Sequence, residues 1–500
     1  MSYPTNNDDE RARNIVQGMG LLTLQNIATS VLGFFFLFAV IHLIPEFQYG
    51  VYSAVLVTVT ITATIAGLGI SFAAVRFVAY HNSDSESWDA AKKSLLLSLL
   101  VAGVTTALYV ALSPEFSLYF TKNTSWTWAF ILGGGWIFTA TMATTFQGAL
   151  QGLKKYSKLA KIIFLSRLIM VVVSISVLYF FRLLELALSA WVLFYGLICI
   201  WIFMSIGKPL LAAKGTYRFS TILRYSLPLG IAGIIGVVAT SSDTVVVGGY
   251  LNPSLLGVYQ AAISVSSVLS VVAVTPLITA LFPEISSSRT IGDISNGVRL
   301  TFRFATIIVL PTTLLFAAVS PQLLSLFTSG GVYLAGTLTL ELVALFYVFV
   351  AIQTMLLTLL QAVGKTTQVI LVGVVTSLTD IGVALLLVPH FGLAGAVTSR
   401  VAVSLDGAAV CMYLSRSYMG NLDKRGFYLK GVISSFIPFA IILFLSTVLT
   451  SRLISLIPYT VLFALIYLVC IRQLHLLTKE DRAYLTHTLP RRLRKFVDYL

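Results

Sequence analysis

Charge is what this chain has least of. Only 10% of its 500 residues are Asp, Glu, Lys or Arg, against about 25% in soluble domains. A water-facing surface of ordinary extent is therefore excluded. Cysteine is nearly absent as well. Cys199, Cys411 and Cys470 each stand alone in an apolar stretch, which excludes a disulfide framework and a thiolate metal site and leaves them as small hydrophobes. The five histidines, His42, His81, His390, His475 and His487, are scattered without metal-ligand spacing. No Gly-rich Lys loop cradles a phosphate, and no nucleophile motif is present. The chain reads as neither an enzyme nor a holder of a metal or cofactor.

What the chain does have is apolar sequence, 57% of it, gathered into runs of about 18 residues or more. Backbone N–H and C=O groups inside a bilayer must pair within the protein. Long apolar runs without strand-like alternation therefore mean helices rather than a barrel. Fourteen spans are expected between 18–44 and 453–471, among them 50–79, 94–120 and 162–181. Two joints, at Arg182–Glu185 and His390–Phe391, are very short, but each merged run would be far too long for one crossing. The polar, partly acidic start and a first apolar run too long for a signal peptide imply an uncleaved N-terminus.

The net charge of +14 would suggest nucleic acid in a soluble protein. Here the Lys and Arg lie in short loops between apolar runs, so no nucleic-acid partner is expected. With both termini placed in the cytoplasm, nearly all 33 of them fall on the inner side. Only Lys122, Arg182 and Arg452 lie opposite, and Arg76, Arg167 and Arg400 lie within spans. This asymmetry is the positive-inside rule. It supports a multi-pass protein of the cytoplasmic membrane.

Two stretches recur. Tyr49–Val57, YGVYSAVLV, returns as LGVYQAAIS at Leu256–Ser264; Leu150–Lys155, LQGLKK, returns as LQAVGK at Leu360–Lys365. The nearly equal offsets relate span n to span n+6, so spans 1–6 and 7–12 read as parallel repeats. The expected organisation is an N-terminal lobe (1–206), a cytoplasmic interlobe linker (207–224), a C-terminal lobe (225–415), two further spans (416–471) and a basic cytoplasmic tail (472–500). Transporters built from two such lobes hold substrate near the midplane.

The first of these pairs, together with GLGISFAAVRFVA (Gly67–Ala79), YSLPLGIAG (Tyr225–Gly233), SSDTVVVGGYL (Ser241–Leu251), LFPEIS (Leu281–Ser286) and LLLVPHFGLAGAVTS (Leu385–Ser399), resembles the multidrug/oligosaccharidyl-lipid/polysaccharide (MOP) exporter superfamily. Within it they resemble the polysaccharide-transport branch of Wzx-like O-antigen flippases. The ending LTKEDRAYLTHTLPRRLRKF is similar to tails of archaeal members. The resemblance implies an all-α polytopic membrane protein with two six-helix pseudo-symmetric lobes plus two C-terminal helices. It also implies translocation of a lipid-linked oligosaccharide, carried on a polyprenyl or dolichyl pyrophosphate, by alternating access. No segment is long enough for an ATPase domain, so a coupling cation (H+ or Na+) or the substrate's own gradient would drive it. A monomer is expected, surrounded by membrane lipids. A cation-coupled multidrug exporter and a peptidoglycan lipid-precursor flippase are the alternatives; the first lobe carries no mid-span acid of the kind such exporters have.

Ionisable residues inside spans are costly and point to function. Arg76, ending span 2, and Arg167, one to two turns into span 5, are candidate ligands for a pyrophosphate, which a guanidinium grips bidentately. Asp243 in span 7, with Gln25 and Asn26 in span 1, are further candidates for substrate contact. Asp380 and Arg400 fall at one depth on consecutive antiparallel spans and are expected to form a charge pair. Asp406 and Glu341 are weaker candidates. The Thr series Thr58, Thr60, Thr62 and Thr64, with Gly67 and Gly69, suits close helix packing, as do Gly133, Gly134 and Gly135 in span 4 and Gly230, Gly233 and Gly236 in span 7. Pro228, Pro276 and Pro311 are placed to kink spans 7, 8 and 9.

Overall fold

A computed structural model describes residues 6–80, 84–213, 217–287, 290–328, 331–420, 425–448 and 453–477. The basic tail beyond 477 lies outside the described residues. Among the described residues there is no strand, and 14 helical stretches are long and apolar enough to cross a membrane. The chain is a multi-pass membrane protein. It divides into two compact units, Met1–Gly257 and Val258–Leu500.

The first unit holds α1 (Asn6–Leu43), α2 (Glu46–Gly67), α3 (Ile70–Tyr80), α4 (Asp84–Ala111), α5 (Ser113–Thr121) and α6 (Thr127–Gly152). After these come α7 (Tyr156–Phe181), α8 (Leu184–Ala212) and α9 (Phe219–Tyr250). The short joint at Arg182 is real: α7 stops where Arg182 turns left-handed (φ 51°) and donates its N–H to Leu178 O at 2.9 Å. The expected 50–79 span is broken. Leu68 (φ 40°) and Gly69 (φ 69°) separate α2 from α3, and Gly69 needs the absence of a side chain. A Cβ there would lie 2.6 Å from Ser226 O of α9, and one on Gly230 would lie 2.6 Å from the Leu68 carbonyl carbon. Backbone meets backbone at this crossing.

The second unit continues with α10 (Pro253–Ser266), which begins just before the division. It includes α11 (Thr275–Ser287), α12 (Ile291–Phe304), α13 (Leu310–Ala318), α14 (Ser320–Phe327) and α15 (Thr337–Ala362). It ends with α16 (Thr366–Phe391), α17 (Leu393–Met419), α18 (Arg425–Val448) and α19 (Leu456–Gln473). The second short joint falls at Gly392, whose φ of 56° ends α16. Wide π-helical turns precede two of the prolines, at Ser270–Val274 before Pro276 and Ala305–Val309 before Pro311. Proline has no N–H for the carbonyl four residues back. For Pro311 that carbonyl is Ile307 O, and the Tyr467 hydroxyl of α19 donates to it at 2.7 Å. Phe439 of α18 and Phe463 of α19 join Leu314 and Leu340 in one buried cluster, tying the last helix pair to this unit. Cys411 is fully buried in another with Met355 and Phe302.

The recurring LQGLKK and LQAVGK share a backbone conformation. Lys155 N–H donates to Leu150 O at 3.1 Å and Lys365 N–H to Leu360 O at 2.8 Å. The left-handed residue before each is Lys154 (φ 57°) or Gly364 (φ 75°). Such six-to-one closure is the Schellman ending of a helix, and here it leads at once into α7 or α16.

Candidate functional site

A cavity of about 310 Å³ opens within the first unit among α2, α3, α6, α8 and α9. Thr60 and Thr64 of α2 line it, as do Thr141 and Thr144 of α6. Residues four apart share a helix face, which aligns Thr60 with Thr64. Their hydrogens are engaged within the helices. Thr60 donates to Leu56 O (2.7 Å), Thr64 to Thr60 O (2.8 Å), Thr141 to Ile137 O (2.8 Å) and Thr144 to Thr141 O (2.9 Å). What each hydroxyl has left to offer is lone pairs. Trp136, Tyr195 and Phe72 supply aromatic wall. No Asp, Glu, Lys or Arg lines the space.

Glycines shape it in two ways. Gly148 of α6 lets α3 approach, since a Cβ there would sit 2.5 Å from Ser71 O. Gly67 and Gly233 border open space: a Cβ at Gly67 meets nothing within 4 Å, and one at Gly233 meets only Thr64 Cγ2 at 3.6 Å. The packing role expected of this whole set is therefore divided. Thr58 does pack, bonding the Tyr109 hydroxyl at 2.8 Å, whereas Thr60, Thr64, Gly67 and Gly233 face the cavity. The i, i+4 spacing of Thr60 and Thr64 was the available signal; which helices stand opposite is tertiary information.

Behind the aromatic wall sits Arg167. Trp136 stacks on Trp191 at 4.8 Å between ring centres with 5° between planes, and Trp191 Nε1–H donates to the Tyr52 hydroxyl at 2.8 Å. The Arg167 guanidinium lies 4.8 Å from the Trp191 ring centre and 5.0 Å from that of Phe194. Gly33 of α1 makes the room, for a Cβ on it would overlap the guanidinium. Among the described residues no carboxylate pairs with this cation; cation–π attraction takes that place. Helix α7 starts at Tyr156, earlier than the expected span. Arg167 is thus about three turns, roughly 16 Å, from the start of its helix.

Arg76 is placed differently. It is exposed, one turn beyond Phe72 on α3, with its guanidinium 4.4 Å from the Tyr225 ring centre. Phe77 packs on Tyr217 and Tyr225 at 5.5 and 5.4 Å. The buried Asp89 carboxylate accepts the Tyr217 backbone N–H at 2.9 Å. Lys92 Nζ donates to Leu211 O and Ala213 O, each at 3.0 Å. Burial pushes the Tyr217 phenol above its ordinary value, and the nearby Arg76 charge pulls it down. The arginine thus stands one turn beyond the cavity-lining Phe72 and against Tyr225 of α9.

The remaining candidates do not line this cavity. Gln25 is buried and donates to Thr29 Oγ1 at 3.2 Å, while Asn26 is exposed. Asp243 is fully buried and accepts from the Thr244 hydroxyl at 3.3 Å. In the second unit, buried Asp380 accepts from Ser399 Oγ at 3.0 Å, next in sequence to Arg400. Asp406 accepts from Thr379 Oγ1 at 2.8 Å. Among the described residues no three His, Cys, Asp or Glu gather as metal ligands.

Comparison with known proteins agrees with this architecture. A Haloferax volcanii protein named "Probable flippase AglR" is 26% identical over 166 residues, which is 32% of this chain and 34% of that protein's length. The match thus spans about a third of that relative. The solved lipid II flippase MurJ, in an inward closed conformation, superposes with a TM-score of 0.73 over 91% of this chain and 100% of its own, at 15% identity. An inward-facing multidrug resistance MATE family transporter of the MOP superfamily gives 0.65 over 83% and 95%, at 16% identity. At such identities the likeness is one of fold. Residues 15–289, more than half of the sequence, match the family model described as polysaccharide biosynthesis protein, and the chain accordingly belongs to that family.

Proposed function

We propose that this protein is a flippase that carries a lipid-linked oligosaccharide, joined through pyrophosphate to a polyprenyl or dolichyl chain, across the cytoplasmic membrane for polysaccharide or glycan assembly. The observation that carries the reading is the cavity itself. It is hydroxyl- and aromatic-lined, uncharged, and ends one helical turn from an exposed arginine. A pyrophosphate at Arg76 would be gripped by a planar fork, with the sugar directed inward. Arg167 adds positive potential at mid-span, where the charge must cross low dielectric. Alternating access by lobes 1–206 and 225–415, N- and C-termini in the cytoplasm, a monomer and a coupling cation belong to the same proposal. So does an Asp380–Arg400 charge pair, remade as the protein opens and closes.

A multidrug exporter of organic cations needs an acid in its pocket, and none lines this one. A peptidoglycan lipid-precursor flippase would use the same chemistry, and the fold likeness to MurJ keeps it as the second reading. The test is a proteoliposome assay in which a labelled lipid-linked oligosaccharide becomes accessible from the opposite face. Arg76→Gln is expected to slow it ~10-fold or more, the loss of one charge-assisted contact. An unchanged rate would remove Arg76 from the mechanism. A wild-type protein that expels cationic dyes but leaves the lipid-linked sugar in place would overturn the reading.

A further inference from the structure

We propose that the cavity of the first unit is a subsite for one uncharged sugar ring, the ring attached to the pyrophosphate, and that it selects neutral over acidic sugars. This rests on the flippase reading above and deepens it.

The wall's hydrogen-bonding character is one-sided. The four threonine hydroxyls already donate to carbonyls of their own helices, at 2.7–2.9 Å, so toward the cavity they act as acceptors. Ser71 and Tyr195, which also line it, make no hydrogen bond through their hydroxyls among the described residues and are able to donate. A ligand that complements this wall brings several donors of its own and a few acceptors. A sugar's hydroxyls do that, and each serves in either role. A carboxylate brings acceptors only, and it would face four acceptor oxygens.

Shape agrees with polarity. A sugar ring has apolar C–H faces as well as an equatorial belt of hydroxyls. The cavity likewise sets the aromatic surfaces of Trp136, Tyr195 and Phe72 against the threonines of α2 and α6. Its volume of about 310 Å³ is at the small end for ligand sites, which suits a single ring held closely rather than a whole glycan.

Charge makes the selection. With no ionised side chain on the wall, a uronate entering would lose its water without gaining a paired cation. Arg167 cannot pair with it directly, because its guanidinium lies against Trp191, which is stacked on Trp136 of the wall, and only its long-range potential reaches the cavity. The cation that is accessible, Arg76, lies one turn, roughly 6 Å, beyond Phe72. That separation fits the phosphate on the first sugar and leaves the ring itself inside.

The glycines make this testable without removing a partner. Leucine at Gly67 or Gly233 would grow into open space, filling the cavity while leaving helix packing in place. The experiment measures affinities of the full chain in nanodiscs for three probes: a polyprenyl pyrophosphate, the same lipid bearing one neutral hexose, and the same lipid bearing one hexuronic acid. The neutral hexose should bind at least tenfold tighter than the bare lipid, and the hexuronic acid no tighter than the bare lipid. Gly233→Leu and Gly67→Leu should each reduce the hexose gain to less than twofold, whereas Arg76→Gln weakens all three probes alike. The subsite is overturned if the hexose adds nothing, if the uronic acid gains as much, or if the gain survives both leucines. If none of the three lipids binds wild-type protein, the flippase reading falls with it; a bare lipid that binds with no gain from sugar sinks the subsite alone.

Discussion

Arg167→Met separates what a half-buried cation contributes to folding from what it contributes to transport. A charge near the middle of a span costs ~2.5–3.5 kcal/mol. Two desolvated cation–π contacts, to Trp191 and Phe194, return about 1–4 kcal/mol. The two nearly cancel. Methionine fills similar space and leaves the Trp191–Tyr52 hydrogen bond alone, so stability should change by less than ~2 kcal/mol, a shift in Tm of no more than ~5 °C. Transport should respond more strongly. The guanidinium is 4.8 Å from the Trp191 ring and that ring is 4.8 Å from Trp136 on the cavity wall. Adding about 4 Å of van der Waals contact beyond that ring, the cation stands within roughly 14 Å of a group crossing there. At an effective dielectric of ~20 a unit charge at roughly 14 Å is worth ~1.2 kcal/mol, about an 8-fold change in rate. The assay is the initial flipping rate in proteoliposomes, normalised to folded protein, alongside thermal unfolding in the same detergent. Wild-type flipping by Arg167→Met, or a Tm loss beyond ~10 °C, would refute this division and make the arginine a structural residue.

Two other outcomes follow from the packing and the charge pattern. Gly148→Ala places a Cβ 2.5 Å from the Ser71 carbonyl oxygen, where only backbone can yield, and should cost ~1–3 kcal/mol. Gly133→Ala meets side-chain atoms at 3.0 Å and should cost less. Equal Tm values for the two in detergent would contradict the close α3–α6 contact. In intact cells, Thr124→Cys should react with a membrane-impermeant maleimide, and Lys158→Cys only after permeabilisation. The reverse pattern would invert the topology. The native cysteines interfere little, since Cys411 and Cys470 are buried and Cys199 is half-buried.

The proposed mechanism divides labour between Arg76 and the cavity. In that proposal the exposed cation captures charge at a place water still reaches, while the uncharged wall discriminates the sugar. Placing both tasks at one point would require desolvating a phosphate and a sugar together, which costs more than either alone. The fastened segment around Tyr217, held by Asp89 and capped by Lys92, gives Arg76 and Tyr225 a firm footing beside the cavity's end.

Hydropathy alone was enough to set the helical class and the number of crossings. A bilayer leaves the backbone one way to satisfy its hydrogen bonds in long apolar runs, and 14 such stretches stand among the described residues. Even the two shortest joints were legible, because a run twice the membrane's thickness must turn somewhere; the left-handed residues Arg182 and Gly392 mark where. The break at Leu68–Gly69 was not legible. It interrupts a run in which no charged residue or proline marks the joint, and what makes it possible is a backbone contact with Ser226 and Gly230, more than 150 positions along the chain. Arg167 was visible as a cation in a span, but its distance from the helix start followed from α7 beginning inside a lysine-bearing stretch that hydropathy assigns to a loop. The cavity belongs wholly to tertiary structure. Periodicity puts Thr60 and Thr64 on one helix face, yet only the distance to the helices opposite decides whether that face meets a neighbour or an open space.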